Sequence, residues 1–229
     1  MPASNMTTES HKGKRRVYIV DDHPLVREWL TNLINQQSDL TVCGEAENAP
    51  AALAAISEGR PDAAIVDISL KDSSGIELIK NLKLSCPNVA VLVLSMHEES
   101  DYAERALRAG AKGYVMKRET TGKVIEAVRR VLDGKLYVSD RLADSMTSQF
   151  VEGKKLTEQS PVEQLSDREL TVFEMLGKGL GTRQIGESLG ISPKTVQAYC
   201  ARIKEKLSLS SGNELLRRAI RWTDTKHPR

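Results

Sequence analysis

Pro61-Asp62-Ala63-Ala64-Ile65-Val66-Asp67-Ile68-Ser69 is the stretch that decides the fold. A short apolar run, Ala63 to Val66, ends abruptly in a carboxylate. The proline before it and the β-branched residues around it favour a buried strand over a helical segment. A strand apolar on both faces belongs in a parallel sheet covered by helices. In such sheets ligands bind beyond the carboxyl ends of the strands, where Asp67 stands. One carboxylate at a strand end can equally cap the next turn, so its meaning depends on what the other strands bring to that edge.

Working outward, the same punctuation recurs. Arg16-Val17-Tyr18-Ile19-Val20 reads as a strand stopping at Asp21-Asp22. His23-Pro24 follows, and a proline at a first helical position opens a helix to about Gln36. Leu25, Trp29, Leu30, Leu33 and Ile34 supply its expected apolar face. Leu40 to Ala46 is a second strand, and Ala51 to Glu58 a helix that Gly59 is expected to end. After the Asp67 strand, Gly75 to Leu84 is helical. Val89 to Leu94 is a strand closing on Ser95, Glu99 to Ala109 a helix, Gly113 to Met116 a strand closing on Lys117, and Thr121 to Leu132 a helix. Five strands alternating with five helices predict right-handed βαβ units and a doubly wound, five-stranded parallel sheet of flavodoxin type. Its strand ends carry Asp21-Asp22, Asp67, Ser95 and Lys117.

Composition sets bounds. The 229 residues suit one large or two modest domains, with 28% charged and 40% hydrophobic residues as in ordinary globular proteins. No run approaches the roughly 18 apolar residues of a membrane span, and the polar N-terminus lacks the apolar core of a signal peptide. A cytoplasmic protein without membrane contact is expected. Cys43, Cys86 and Cys200 are far apart and outside any metal-ligand spacing, which fits reduced thiols packed as small apolar groups. Charge is uneven: residues 161–229 carry twelve Lys and Arg against eight Asp and Glu, a net +4, and the remainder is −2. That asymmetry suggests a polyanion-binding module joined to something else.

The organisation expected is a disordered tail over 1–15, an α/β domain over 16–138, a linker with a weak helix over 139–162, and an all-α four-helix domain over 163–225. Ser166-Asp167-Arg168-Glu169 is a capping box before an apolar-periodic helix. A short helix from Thr182 to Leu189 is closed by Gly190. Ser192 and Pro193 then start a longer basic helix over 193–207, with a fourth helix over Asn213–Trp222. A short helix, a Gly-containing turn and a basic helix form the sequence pattern of a helix-turn-helix.

Clustered carboxylates at strand ends repel, so keeping them ionised calls for a cation. An open, oxygen-only site suits Mg²⁺, which keeps several waters and takes one or two carboxylates plus a phosphate oxygen. Asp67 at the centre would be a carboxylate nucleophile forming an acyl-phosphate, with Lys117 a fixed positive charge and the Ser95 hydroxyl a donor to the incoming phosphoryl oxygen. His23 and His97 read as rim residues, because nothing in the sequence pairs them with further ligands. In the helix-turn-helix, Lys194, Thr195, Gln197, Ala198, Ala201 and Arg202 are placed to face base edges. Gln197 suits adenine, and Ala198 or Ala201 a thymine methyl. Thr182, Arg183, Lys204 and Lys206, with Lys194, Tyr199 and Arg202, suit phosphates. Leu215, Leu216, Ala219 and Trp222 stripe the last helix; part of that stripe is expected in the core and part, Leu215, Leu216 and Ala219, in a dimer contact.

Together, Asp21-Asp22-His23-Pro24, the Asp67 strand, Leu94-Ser95, Gly113-Tyr114-Val115-Met116-Lys117 and the stretch from Leu165 through Val196 resemble a response regulator of the NarL/FixJ (LuxR-type) class. The resemblance covers about residues 16–222. It implies that a sensor histidine kinase or a small acyl-phosphate phosphorylates Asp67. It also implies that Asp22, Asp67 and the Ser69 backbone carbonyl hold Mg²⁺, with Asp21 acting through water. Tyr114 then resembles the aromatic switch that turns inward as Ser95 follows the phosphoryl group, and a phosphorylated homodimer would bind double-stranded DNA with two half-sites. The chain departs from many receivers at Leu70-Lys71, at Met96 beside the hydroxyl and at Arg118 after the lysine.

Two rivals are open. A phosphohydrolase using Asp67 would need a general acid, typically a second Asp two residues on, where this chain has Ser69. A regulator that binds DNA without phosphorylation would use the α/β domain only for protein docking, which the full set of strand-end residues disfavours. The expected protein is therefore a regulator rather than an enzyme.

Overall fold

The computed structural model describes residues 13–70, 73–151 and 161–226. The tail expected before Gly13, Lys71, and the polar stretch 152–160 lie outside them. The chain divides into two units, Met1–Leu142 and Ala143–Arg229.

In the first unit β1 (Arg15–Val20), β2 (Leu40–Ala46), β3 (Ala63–Val66), β4 (Ala90–Ser95) and β5 (Gly113–Met116) alternate with α1 (Pro24–Asn35), α2 (Ala49–Gly59), α3 (Gly75–Ser85), α4 (Glu99–Ala109) and α5 (Thr121–Leu132). The strands form one parallel sheet in the order β2-β1-β3-β4-β5, the doubly wound arrangement expected. Every residue of β3 is buried, which is why its sequence shows no polar alternation. Val17 and Ile19 of β1, Ile65, Leu92 and Leu94 form a core with Leu30 and Ile34 of α1 and with Val124, Val128 and Val131 of α5. Each such side chain contributes about 1.5–3 kcal/mol when fully buried. On the opposite face α2, α3 and α4 pack side by side.

Two local expectations are corrected. Leu25 is 78% exposed; Val26 takes its place against the core with Trp29 and Leu33, because Val26 lies one turn below Leu30 whereas Leu25 is rotated off that face. Gly59 lies inside α2, and the left-handed residue that ends the helix is Arg60 (φ 43°), whose N–H donates to the Ile56 carbonyl at 2.9 Å.

A further helix, α6 (Asp140–Val151), spans the division between the units. The second unit continues with a 3-10 turn (Pro161–Gln164), α7 (Asp167–Gly177), α8 (Thr182–Leu189), α9 (Pro193–Lys206) and α10 (Gly212–Lys226). The capping box at α7 is formed: Glu169 N–H donates to Ser166 Oγ, and Ser166 N–H to Glu169 Oε2 at 2.7 Å. Between α8 and α9 the chain turns so tightly that a Cβ on Gly186 would stand 2.7 Å from the Ile191 carbonyl oxygen. Ser192 then caps α9, accepting from the Thr195 N–H at 3.1 Å. Phe173, Ile185, Val196, Ile203, Leu215 and Ala219 are among the buried residues of this unit, and the Trp222 ring lies 5.8 Å from that of Phe173.

Candidate phosphoryl-transfer site and nucleic-acid interface

Parallel register builds the site. Val20 of β1 is level with Val66 of β3, and Val66 with Val93 of β4, so Asp21 and Asp67 leave adjacent strands at the same height. Asp67 is held there by its N–H, which donates to the Val20 carbonyl at 2.8 Å. Lys117 follows β5, with its N–H donating to the Ser95 carbonyl at 2.8 Å. The chain after Asp67 turns under the start of α3, where a Cβ on Gly75 would lie 2.0 Å from the Asp67 carbonyl oxygen. Glycine there is what lets the loop and the helix approach.

The Lys117 ammonium bridges two carboxylates, 2.6 Å from Asp21 Oδ2 and 2.7 Å from Asp67 Oδ2, and the side chains are 8%, 2% and 3% exposed. Burial alone would pull the Lys117 pKa down; charge attraction and hydrogen bonds from Asp67 and Asp21 outweigh it and hold the group above its ordinary value. Asp22 completes the acidic cluster, and ligand atoms of Asp21, Asp22, His23 and Asp67 lie within 4.8 Å of one another. Three carboxylates against one ammonium leave two negative charges unbalanced, the charge a divalent cation carries. Asp22 Oδ1 is buried without a hydrogen-bond partner; its 2.8 Å approach to His23 Nδ1 lacks hydrogen-bond geometry. An orphaned acceptor facing an oxygen-rich, partly open cluster fits a hard cation such as Mg²⁺.

Ser95 is fully buried and its Oγ accepts from the His97 N–H at 3.2 Å. Tyr114, 2% exposed, is already turned inward: its hydroxyl donates to the His97 carbonyl at 3.0 Å. His97 is therefore more than a rim residue. Its Nε2 is 2.7 Å from Ser69 Oγ, and its ring lies 4.3 Å from that of Tyr102. No sequence spacing ties Ser69 to His97, because they meet only through the strand order. His23 is 64% exposed in its side chain, as a rim residue should be, yet its ring nitrogen reaches both Asp21 and Asp22.

On the helical unit, α9 buries Val196 and Ile203 and exposes Lys194, Thr195, Gln197, Ala198, Ala201 and Arg202. The candidate base-reading residues therefore share the outward face. Arg202 lies over the Tyr199 ring at 5.8 Å. Thr182 is half-buried at the start of α8; Arg183 is exposed, 3.4 Å from Glu187, and Lys204 is half-buried. Lys206 is exposed, and its ammonium lies 2.6 Å from Glu169 Oε2, an ion pair tying the end of α9 to the start of α7. The α10 stripe is corrected. Leu215 and Ala219 are 3% and 0% exposed, inside the unit, whereas Leu216 and Ile220 are each 39% exposed.

A parallel α/β sheet presenting acid, hydroxyl and lysine at one edge, followed by a helix-turn-helix, has the architecture of a receiver unit joined to a helix-turn-helix unit. Residues 17–129 match the family described as response regulator receiver domain, and residues 163–219 that described as bacterial regulatory proteins, luxR family. The oxygen regulatory protein NreC of Staphylococcus epidermidis is 35% identical over 211 residues, covering 90% of this chain and 97% of the relative. NreC of Staphylococcus carnosus is 33% identical over 210 residues with the same coverage. Among solved structures, a LuxR-family two-component response regulator from Aurantimonas sp. SI85-9A1 aligns with a TM-score of 0.56 at 31% identity, over 61% of this chain and 99% of that one. RcsB of Salmonella enterica serovar Typhimurium, bound to promoter P1flhDC in the presence of BeF3−, aligns with a TM-score of 0.56 at 23% identity, over 90% and 98%, and shares the fold.

The chain belongs to the response regulators that join a receiver domain to a LuxR-type DNA-binding domain. These are transcription regulators, not enzymes. Among the described residues no helix is long and apolar enough to cross a membrane.

Proposed function

We propose that this protein is a cytoplasmic transcription regulator switched by phosphorylation of Asp67. An Asp67 carboxylate oxygen forms a bond to phosphorus as the bond to the donor breaks. The leaving group is an imidazole if a sensor histidine kinase is the donor, or a carboxylate if a small acyl-phosphate is. Asp22, Asp67 and the Ser69 backbone carbonyl would hold Mg²⁺, with Asp21 acting through water. Bound there, the ion neutralises charge as the phosphoryl group arrives. Lys117 supplies fixed positive charge to the same oxygens. Ser95 donates to the transferred group, and its displacement draws on the His97 N–H and, through the His97 carbonyl, on Tyr114. The observation that carries the reading is the Lys117 ammonium shared between Asp21 and Asp67 at the edge of the sheet.

The phosphorylated form is proposed to pair and to bind duplex DNA at two half-sites through α9. Lys194, Thr195, Gln197, Ala198, Ala201 and Arg202 would face bases, and Thr182, Arg183, Tyr199, Lys204 and Lys206 phosphates. Leu216, with Ile220, is the apolar surface of α10 that remains for a dimer contact.

Incubation with acetyl phosphate and Mg²⁺ should add one phosphoryl group to the intact mass, none to Asp67→Asn, and move the wild type to dimer in sedimentation. Absence of the adduct at excess donor would refute the switch and leave a phosphorylation-independent regulator whose receiver serves for docking.

A further inference from the structure

The chain beyond α5 returns to the sheet. Tyr137 N–H donates to the Lys112 carbonyl at 3.0 Å, and the Tyr114 N–H donates to the Tyr137 carbonyl at 2.9 Å. This single parallel bridge adds residue 137 to the free edge of β5. Gly113 is shaped to receive it: a Cβ there would lie 2.9 Å from the Tyr137 carbonyl oxygen and 3.1 Å from its Cβ. Two residues later the Ser139 N–H donates to Glu99 Oε1, at the first residue of α4, at 2.9 Å. The Ser139 hydroxyl in turn accepts from the Leu142 N–H at 3.2 Å, in the first turn of α6. The origin of α6 is thus fastened twice, to the strand that carries Tyr114 and to the helix that follows the Ser95 loop.

Tyr114 stands at the junction. Its hydroxyl donates to the His97 carbonyl, and its backbone N–H to Tyr137. A cleft lined by Glu99, Tyr114, Lys123, Tyr137 and Ser139 lies beside the fastening. Any displacement of the Ser95–His97 loop reaches Glu99 directly, because α4 starts two residues after His97. We infer that Glu99 is a positioning residue for signal output. Its bond to the Ser139 N–H makes the start of α6 follow the Ser95–His97 loop, so the state of Asp67 is passed along the covalent chain that leads to the helical unit. This inference rests on the proposed phosphorylation of Asp67.

The test compares the wild type, Glu99→Ala and Glu99→Gln as full chains. Phosphoryl uptake from acetyl phosphate is measured by intact mass. DNA affinity with and without donor is measured by anisotropy on a duplex selected from a random pool by the phosphorylated wild type. Couplings between sites commonly amount to about 5- to 150-fold in affinity. Glu99→Ala should take up phosphoryl as the wild type does, while its affinity ratio falls to within about twofold of one. Glu99→Gln, which keeps an acceptor oxygen, should retain most of the ratio. Hydrogen exchange in the segment 137–147 should answer to phosphorylation in the wild type and in Glu99→Gln, and not in Glu99→Ala. A wild-type ratio in Glu99→Ala, or loss of phosphoryl uptake in that variant, would overturn the inference and leave the proposed function standing. A wild type that takes up no phosphoryl group would overturn the proposed function and the inference with it.

Discussion

Lys117 is the residue on which the site's charge balance turns. Its ammonium lies between the buried carboxylates of Asp21 and Asp67 and supplies the positive charge both of them face. Removing one partner of a buried ionic group costs about 3–5 kcal/mol, because the charge left behind has no substitute. Lys117→Ala should therefore lose stability of that order in urea unfolding without metal, and recover much of it in Mg²⁺, which then meets less positive charge near the acids. The same variant should bind Mg²⁺ more tightly than the wild type, read from the fluorescence of Trp29. If Mg²⁺ affinity falls instead, Lys117 holds the acids in place rather than competing for them. The site's members were legible from strand ends alone, since an acid or amine directly after an apolar run needs no long-range information. His97 was not legible. Beyond the adjacent Ser95, its partners are Ser69 in the loop after β3 and Tyr114 of β5, and only the folded strand order brings these two within hydrogen-bond reach.

Among the elements, α7 and α9 show how a sequence signal can hold and still be incomplete. Ser166 and Glu169 form the capping box that their spacing announces, but Glu169 also receives Lys206 from the far end of α9. Basic residues along one helix look alike in sequence; the 2.6 Å pair marks Lys206 as the one that also braces the domain. The Glu169 carboxylate is subject to burial, which raises its pKa, but the Lys206 and Ser166 hydrogen bonds prevail and hold it below the usual range. A lowered folded-state pKa gives stability that is present above the unfolded value and disappears as pH falls through the folded one. The helical unit, followed by Trp222 fluorescence, should thus keep its stability down to the ordinary glutamate range and lose it below that. Glu169→Gln, which keeps the cap and drops the charge, should flatten this acid limb. An unchanged limb would assign it to another carboxylate. Element boundaries were less legible than element types: Arg60 rather than Gly59 ends α2 in the left-handed region, a choice made by the Ile56 carbonyl and invisible in composition.

Across the whole molecule, each unit carries one of the two tryptophans, Trp29 in α1 and Trp222 in α10. A ligand that binds only the folded state stabilises it by RT ln(1 + [L]/Kd), about 2.7 kcal/mol at a hundredfold excess over Kd. Mg²⁺ should therefore shift the unfolding transition seen by Trp29 in a Trp222→Phe variant and leave that seen by Trp222 in Trp29→Phe where it was. Equal shifts would show that the two units unfold as one. The two-part organisation was legible from the change in hydrophobic period and the change in charge sign near residue 160. The return of residue 137 to the sheet was not, because one bridge leaves no periodic trace. That bridge has a consequence for solubility. The outer edge of a parallel sheet is a row of unpaired donors and acceptors on which another chain can grow. By occupying the Tyr114 N–H and the Lys112 carbonyl, Tyr137 takes up two of the outward groups of the β5 edge, so a piece of the protein's own backbone stands where an added strand would begin to pair.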